Sequence, residues 1–90
     1  MSGAPTTELA ELGLTAGDRV RFRRGSTERW KDAVVTGLER DGSVGLADRK
    51  GAARAIAVDH IEVRVAGPRG GLSWVPLPEW AQRAEQLRLL

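Results

Sequence analysis

The chain has no cysteine and no tyrosine, and it has a single histidine, His60, among its 90 residues. Without cysteine it forms neither disulfides nor thiolate metal sites, and one histidine leaves a zinc site short of nitrogen ligands. No apolar run is long enough for a membrane-spanning helix, and the first seventeen residues contain no Lys or Arg, which a secretory signal requires. We therefore expect a soluble, cytoplasmic protein with no metal, no cofactor and no membrane partner.

Positive charge is concentrated in the middle of this chain, which is long enough for one small domain. The formal net charge is +2, but residues 18–69 hold ten Arg and two Lys against eight acidic residues. A G+C-rich bacterial genome would account for the excess of Arg over Lys, but not for the positions of the arginines. The middle segment is therefore the expected surface for phosphates or an acidic partner.

Five segments have the pattern of short β-strands. Residues 18–24 (DRVRFRR) alternate apolar and basic side chains, which is the period-two pattern of a half-buried strand. Because turns and no crossover helix separate the segments, they predict an antiparallel sheet, and a sheet this small is expected to close into a five-stranded barrel. The predicted strands are 18–24, 30–39, 43–48, 52–58 and 61–65.

Turn residues divide the chain further. Asp41-Gly42 predicts a type I′ hairpin, and Gly37 predicts a bulge near the end of the second strand. Residues 67–71 (GPRGG) predict a flexible break. We therefore divide the chain into an N-terminal tail with a short helix (1–16), a barrel (17–66), and a Gly/Pro linker with a C-terminal amphipathic helix (67–90).

The helices at the two ends also have sequence signals. Thr6 or Thr7 is a candidate N-cap for the N-terminal helical turn, and Gly13 is a candidate stop. In the C-terminal segment Pro78 suits the first helical position, and an apolar stripe follows it.

The predicted barrel resembles the SH3-like small barrels, in particular their Tudor-like and KOW-type branches. The resemblance rests on G-D-x-V, W-x-x-A-x-V, an Asp-Gly turn, V-x-L-x-D and D-x-I, in this order. The matching residues are Gly17, Asp18, Val20, Trp30, Ala33, Val35, Asp41, Gly42, Val44, Leu46, Asp48, Asp59 and Ile61.

That resemblance implies a binding module, because such barrels bind DNA, RNA, methylated tails or peptides. Readers of methylated side chains surround the cation with several aromatic rings. Here the residue after the third strand's aspartate is Arg49, and no aromatic residue lies between Trp30 and Trp74. A methyl-lysine or methyl-arginine reader is therefore not expected.

The first predicted strand carries the main candidate site, a stripe of arginines that would follow the phosphates of a nucleic acid. The alternative is a solvated strand face neutralised by Glu62, Glu39 or Asp32. Trp30 either stacks on a base or covers the barrel's rim with its indole N–H bonded to a backbone carbonyl. The predicted nucleic-acid-binding residues are Arg19, Arg21, Arg23, Arg24, Arg29, Trp30 and Lys31.

The C-terminal segment is a second candidate site, for a protein partner. Its predicted interaction residues are Trp74, Trp80, Ala84 and Leu87. The alternative is that the same side chains pack on the domain itself and anchor the helix.

No pattern in the chain predicts catalysis. The serines lie in no nucleophile motif, there is no phosphate-binding loop, and a small barrel leaves no pocket for a small-molecule substrate. His60 is expected to be structural. The sequence thus predicts a non-catalytic module that binds nucleic acid with little sequence preference or, alternatively, a protein-interaction adaptor acting through residues 74–90.

Overall fold

The structure is a computed structural model that describes residues 8–88, so the predicted caps Thr6 and Thr7 lie outside the described residues. Short 3-10 turns cover Leu9–Leu12 and Val58–His60. Within the described range no helix is both long and apolar enough to cross a membrane. The other elements are β1 (Arg19–Phe22), β2 (Lys31–Leu38), β3 (Val44–Asp48), β4 (Ala53–Ile56), β5 (Ile61–Ala66), β6 (Leu72–Pro76) and α1 (Leu77–Arg88).

The six strands found in residues 8–88 form one antiparallel sheet in the order β4-β3-β2-β1-β5-β6. The prediction of a mainly β fold with a C-terminal helix is confirmed. The predicted five-stranded barrel is not confirmed, because the sheet is open with β4 and β6 as its edges. The segment that we expected to be a linker supplies β6, which pairs along β5 with Val63 opposite Val75.

Three hairpins of the described chain share one type of loop. Gly42, Gly51 and Gly70 each have a positive φ and each donate a backbone hydrogen bond to the residue three positions earlier. This is a type I turn closed by a left-handed glycine, so the predicted type I′ turn is wrong: Asp41 does not have the positive φ that it requires. The predicted flexible break at residues 67–71 is the ordered turn between β5 and β6.

The predicted bulge in β2 is confirmed. The pairing of β2 with β3 shifts between Val35 and Gly37, which allows the strand to bend.

The core lies on one face of the sheet, under α1. Leu14, which follows the N-terminal turn, and Leu77, the first residue of α1, are both buried against it. In a closed barrel, strands would cover this core on all sides. Here Leu14, Leu77 and the half-buried Trp80 cover the side that the open sheet leaves exposed. The core residues are Leu14, Val20, Phe22, Ala33, Val35, Val44, Leu46, Ile56, Ile61, Val63 and Leu77.

The contact between the N-terminal turn and α1 is close. The indole N–H of Trp80 donates to the carbonyl oxygen of Gly13 at 2.9 Å. Gly13 has a φ of +73°, and a Cβ there would lie 2.8 Å from Nε1 of Trp80 and 2.9 Å from Cβ of Ala84. The position therefore requires glycine for both its conformation and its lack of a side chain.

Candidate functional site

The strands that bury the core on one side present polar and aromatic side chains on the other. Strand pairing places Asp32 and Glu62 on either side of Arg21, and Trp74 opposite Arg64. Because side chains alternate along a strand, these residues share the face that points away from the core. We call this surface the outer face; it comprises Arg19, Arg21, Asp32, Glu62, Arg64 and Trp74.

Arg21 is the centre of the outer face and lies against two tryptophans. Its guanidinium carbon is 4.4 Å from the ring centroid of Trp30 and 4.6 Å from that of Trp74. Its Nε donates to Oε1 of Glu62 at 2.9 Å, and its Nη2 donates to the same oxygen. Each cation–π contact is worth about 0.5–1 kcal/mol at an exposed site and more when desolvated. Arg21 therefore links β6 to β1 and the start of β2, and its charge is neutralised.

Trp30 precedes β2 and lies outside the core cluster. Its ring also contacts Arg23, whose guanidinium carbon is 4.3 Å from the centroid and whose Nη1 donates to the carbonyl oxygen of Ser26. Its indole N–H is not buried and has no hydrogen-bond partner within the described residues. The predicted alternative, a rim residue bonded to a backbone carbonyl, does not describe this side chain, which belongs to the outer surface.

Beside Trp30 lies an open groove of about 410 Å³, which we call the Trp30 groove. It is lined by residues from the start of β2 and from the hairpin between β3 and β4. The exposed side chains of Arg49 and Lys50 are at the tip of that hairpin. The lining residues are Trp30, Lys31, Asp32, Asp48, Arg49, Lys50 and Arg54.

Asp48 holds the hairpin of this groove in place. Its Oδ1 accepts hydrogen bonds from the backbone N–H groups of Lys50 and Ala52, each at 2.9 Å, and its Oδ2 accepts one from Nε of Arg54 at 3.1 Å. The hydrogen bond from Ala52, with smaller contributions from Lys50 and Arg54, holds the pKa of this carboxyl below its ordinary value of 3.8. The carboxylate is thus ionised and already has internal partners.

Two further depressions adjoin the Trp30 groove. One, of about 390 Å³, extends to Arg19 and shares Asp32, Asp48 and Arg49 with it. A smaller one, of about 110 Å³, reaches Arg64 and Trp74. Asp32 lines all three, so its carboxylate lies at their common boundary among basic residues.

The structure separates the seven residues predicted to bind nucleic acid. Arg21 and Arg23 both contact the ring of Trp30, and Lys31 lines the adjacent groove. Arg19 is exposed on the outer face, and Arg29 is exposed in the loop before β2. Arg24 lines a different depression, with Ala55, Ile56, Ala57 and His60. For Arg21 the predicted neutralisation by Glu62 is observed.

The four residues predicted to bind a protein partner also do not share one surface. Trp74 lies on the outer face against Arg21, whereas Trp80 packs against the core on the other side of the sheet. Ala84 approaches Gly13, and Leu87 is 70% exposed. The alternative, packing of the helix on its own domain, describes Trp80 and Ala84.

The sequence did not indicate that Trp74 contacts Arg21, and the predicted site did not include Arg49, Lys50 or Arg64. The signal for Trp74 was the Pro-Arg-Gly turn followed by L-S-W-V, which marks a hairpin and a further strand. Nothing local identified Arg49 and Lys50, because two basic residues in a turn are ordinary. They join the site only because β3 pairs with β2.

His60 is close to the backbone of β1. Its Nδ1 is 3.1 Å from the carbonyl oxygen of Arg23, and its own carbonyl oxygen accepts the N–H of Arg23. These contacts agree with the structural role expected for it.

In residues 8–88 there is no group of three metal-ligating side chains.

No protein-family model, curated protein or solved structure matches this chain. The resemblance to SH3-like small barrels therefore stays a prediction.

Proposed function

We propose that this domain binds nucleic acid through backbone phosphates, with little sequence preference and without catalysing a reaction. The observation that supports this proposal is a group of exposed basic side chains around the three depressions. Within residues 8–88 none of them has an acidic side chain within ion-pair distance. They are Arg19, Lys31, Arg49, Lys50 and Arg64.

The acidic residues nearby do little to cancel this charge. Glu62 is paired with Arg21, and Asp48 is engaged by the hairpin's N–H groups and by Arg54. In the described part of the chain, Asp32 is the acidic residue that lines these depressions without an ion pair. The remaining charge is positive, which favours phosphates and makes binding sensitive to salt.

Little sequence preference is expected because the site is a sheet face with side depressions. Reading base edges in the major groove requires a helix or a two-stranded ribbon that enters it. The α1 helix supplies core residues on the other face of the sheet, so it is not presented beside the basic groups. Phosphate contacts and stacking remain, and neither distinguishes bases strongly.

Charge reversal tests the proposal. We expect the double variant Arg19→Glu/Lys50→Glu to weaken binding of a labelled mixed-sequence oligonucleotide by at least about tenfold at ~50 mM salt. Because two phosphate contacts are removed, log K should also fall less steeply with log salt: the magnitude of the slope should decrease by about 1.4–1.8. Fluorescence anisotropy over a range of salt concentrations measures both quantities.

The matched control is Arg40→Glu/Arg69→Glu, which makes the same change in net charge. Both residues are exposed in hairpin loops at the opposite end of the sheet from the Trp30 groove. This variant should retain most of the wild-type affinity. Absence of wild-type binding at ~50 mM salt, or equal losses in the two double variants, would refute the proposed site.

The alternative function, an adaptor that docks a protein through residues 74–90, has less support. Leu87 is exposed, but Trp80 donates its N–H within the domain and packs against the core. A partner would therefore find a narrower apolar surface than the sequence suggested.

A further inference from the structure

Resting on the proposed function, we infer that the ligand is single-stranded nucleic acid. One unpaired base stacks on Trp30, and the adjoining phosphates lie in the Trp30 groove between Lys31 and the hairpin tip. This names a class of ligand and places its phosphates beside Lys31, Arg49 and Lys50.

Trp30 is placed where a ligand can approach it. The ring lies outside the core, its N–H is not buried, and it lines the groove. Stacking on an aromatic side chain requires the face of a base. In a duplex those faces are covered by neighbouring bases, so an unpaired base is the one that reaches Trp30.

The size and lining of the groove suit a single strand. A volume of about 410 Å³ is at the lower end of the range for small-ligand sites, roughly 300–1,000 Å³. Lys31 lines the groove from β2, and Arg49 and Lys50 line it from the hairpin. A single strand that enters the groove meets the basic groups of both elements, whereas a wide, convex duplex would touch only the rims.

Both parts of the site are held in place without a ligand. Asp48 fixes the hairpin through two backbone N–H groups, and the guanidinium groups of Arg21 and Arg23 lie over the ring of Trp30, where a stacking base would compete with them. Preorganised groups lose less conformational entropy on binding. The same arrangement leaves the charges of Arg49 and Lys50 available, because Asp48 accepts from the backbone N–H groups of Lys50 and Ala52 and from neither of the two side chains.

The path of the strand follows from the adjoining depressions. The Trp30 groove shares three lining residues with the depression that leads to Arg19, so the two depressions adjoin. A strand anchored at Trp30 would run past Arg49 toward Arg19. Along this path it would pass Asp32, whose negative charge opposes the phosphates.

The test compares a single strand with a duplex of the same sequence and length, at the same salt concentration. We expect the wild-type domain to bind the single strand at least about tenfold more tightly than the duplex. Trp30→Ala should weaken single-strand binding about tenfold and leave duplex binding nearly unchanged, because one stacking contact is lost. Trp30→Phe keeps a stacking face and should retain most of the affinity.

Two further measurements guard against misfolding of the Trp30→Ala variant. The variant Trp30→Phe keeps an aromatic ring next to Arg21 and is therefore expected to fold. Because it lacks the Trp30 indole, the single strand should quench less tryptophan fluorescence in this variant than in the wild type. Asp32→Asn should tighten single-strand binding severalfold, an effect that loss of folding would not produce.

The outcomes separate this inference from the proposed function. If Arg19→Glu/Lys50→Glu weakens binding but duplex and single strand bind equally and Trp30→Ala has no effect, the single-strand inference is wrong and the proposed function stands. If neither nucleic acid binds at ~50 mM salt, both are wrong. If polyglutamate of matched charge binds as tightly as the single strand, the site recognises acidic polymers in general and the inference is also wrong.

Discussion

The two sides of the sheet use the same residue type for different purposes. On the inner side Trp80 packs against the core and its N–H donates to Gly13, so the ring and its polar atom both have partners. On the outer face Trp30 is held by arginines, and its N–H is open to solvent. Trp80 therefore contributes to folding, whereas Trp30 keeps a surface that a ligand can use.

The chemistry around a tryptophan, more than its burial, indicates its role. Trp30, Trp74 and Trp80 are all half-buried. They differ in what covers them: apolar core residues cover Trp80, whereas the guanidinium of Arg21 lies against the other two. A guanidinium can exchange its aromatic contact for a ligand far more cheaply than a core can be opened.

The strongest test of this comparison is Leu77→Ala on the inner side. Leu77 is the first residue of α1 and is fully buried, although the sequence analysis assigned residues 67–90 to a linker and a helix outside the barrel. Truncating it should lower the free energy of unfolding by about 2–5 kcal/mol, measured by urea denaturation. Leu87→Ala on the same helix is the control, because Leu87 is 70% exposed and should change stability by less than about 0.5 kcal/mol.

Equal effects of these two substitutions would contradict the assignment of α1 to the core. They would instead support the view that the helix is an independent docking element.

A smaller effect is expected on the outer face from Arg21→Ala. The loss of two cation–π contacts and a partly exposed ion pair should lower the free energy of unfolding by about 2 kcal/mol. Arg21→Lys should recover about half of this, because Lys keeps the charge but not the planar group. Urea denaturation measures both variants.

Arg64→Ala is the control for Arg21→Ala. Arg64 is exposed on the same face and has no ion pair within residues 8–88, so a change below about 0.5 kcal/mol is expected. If Arg21→Ala is as mild as Arg64→Ala, Arg21 does not link β6 to β1, and the outer face is less organised than the structure shows.

The smallest expected effect is a response of the Trp30 groove to acid. Hydrogen bonding lowers the pKa of Asp48 in the folded chain below 3.8, so its stabilisation is fully present above that pH. As the pH falls below 3.8 and through the folded pKa, the carboxyl gains a proton and the stabilisation is lost. Hydrogen exchange at the N–H of Ala52, which donates to Asp48, should accelerate in that range before exchange in the core does.

Asp48→Asn removes this titration and serves as the comparison. Exchange at Ala52 in this variant should vary less with acid, after allowance for the intrinsic exchange rate. Asp41, whose pKa is lowered mainly by the hydroxyl of Ser43, should give the same response in its own hairpin and leave the groove unaffected. If the N–H of Ala52 and the core exchange at the same pH, the hairpin is not an independent unit.

The local parts of the fold were predictable because they depend on short-range patterns. Alternation placed β1 within one or two residues of its observed bounds, Gly37 indicated the bulge, and the apolar stripe after Pro78 indicated α1. The turn type at Asp41-Gly42 was missed because the same two residues also fit a three-residue loop.

The candidate site was predictable only in part. Arg19, Trp30 and Lys31 were recognisable because alternation exposes one face of β1 and because Trp30 stands among basic residues. Trp74 was assigned to a protein-binding segment, since its place beside Arg21 depends on the pairing of β6 with β5.

Local patterns were enough to predict which positions alternate, where the chain turns, and that positive charge is concentrated in residues 18–69. These properties follow from backbone and side-chain preferences over a few residues. The folded arrangement was needed to show that the sheet is open, that Arg21 pairs with Glu62, and that Arg49 and Lys50 line the same groove as Lys31. The reason is that strand pairing joins residues far apart in the chain, and no local pattern specifies which residues will meet.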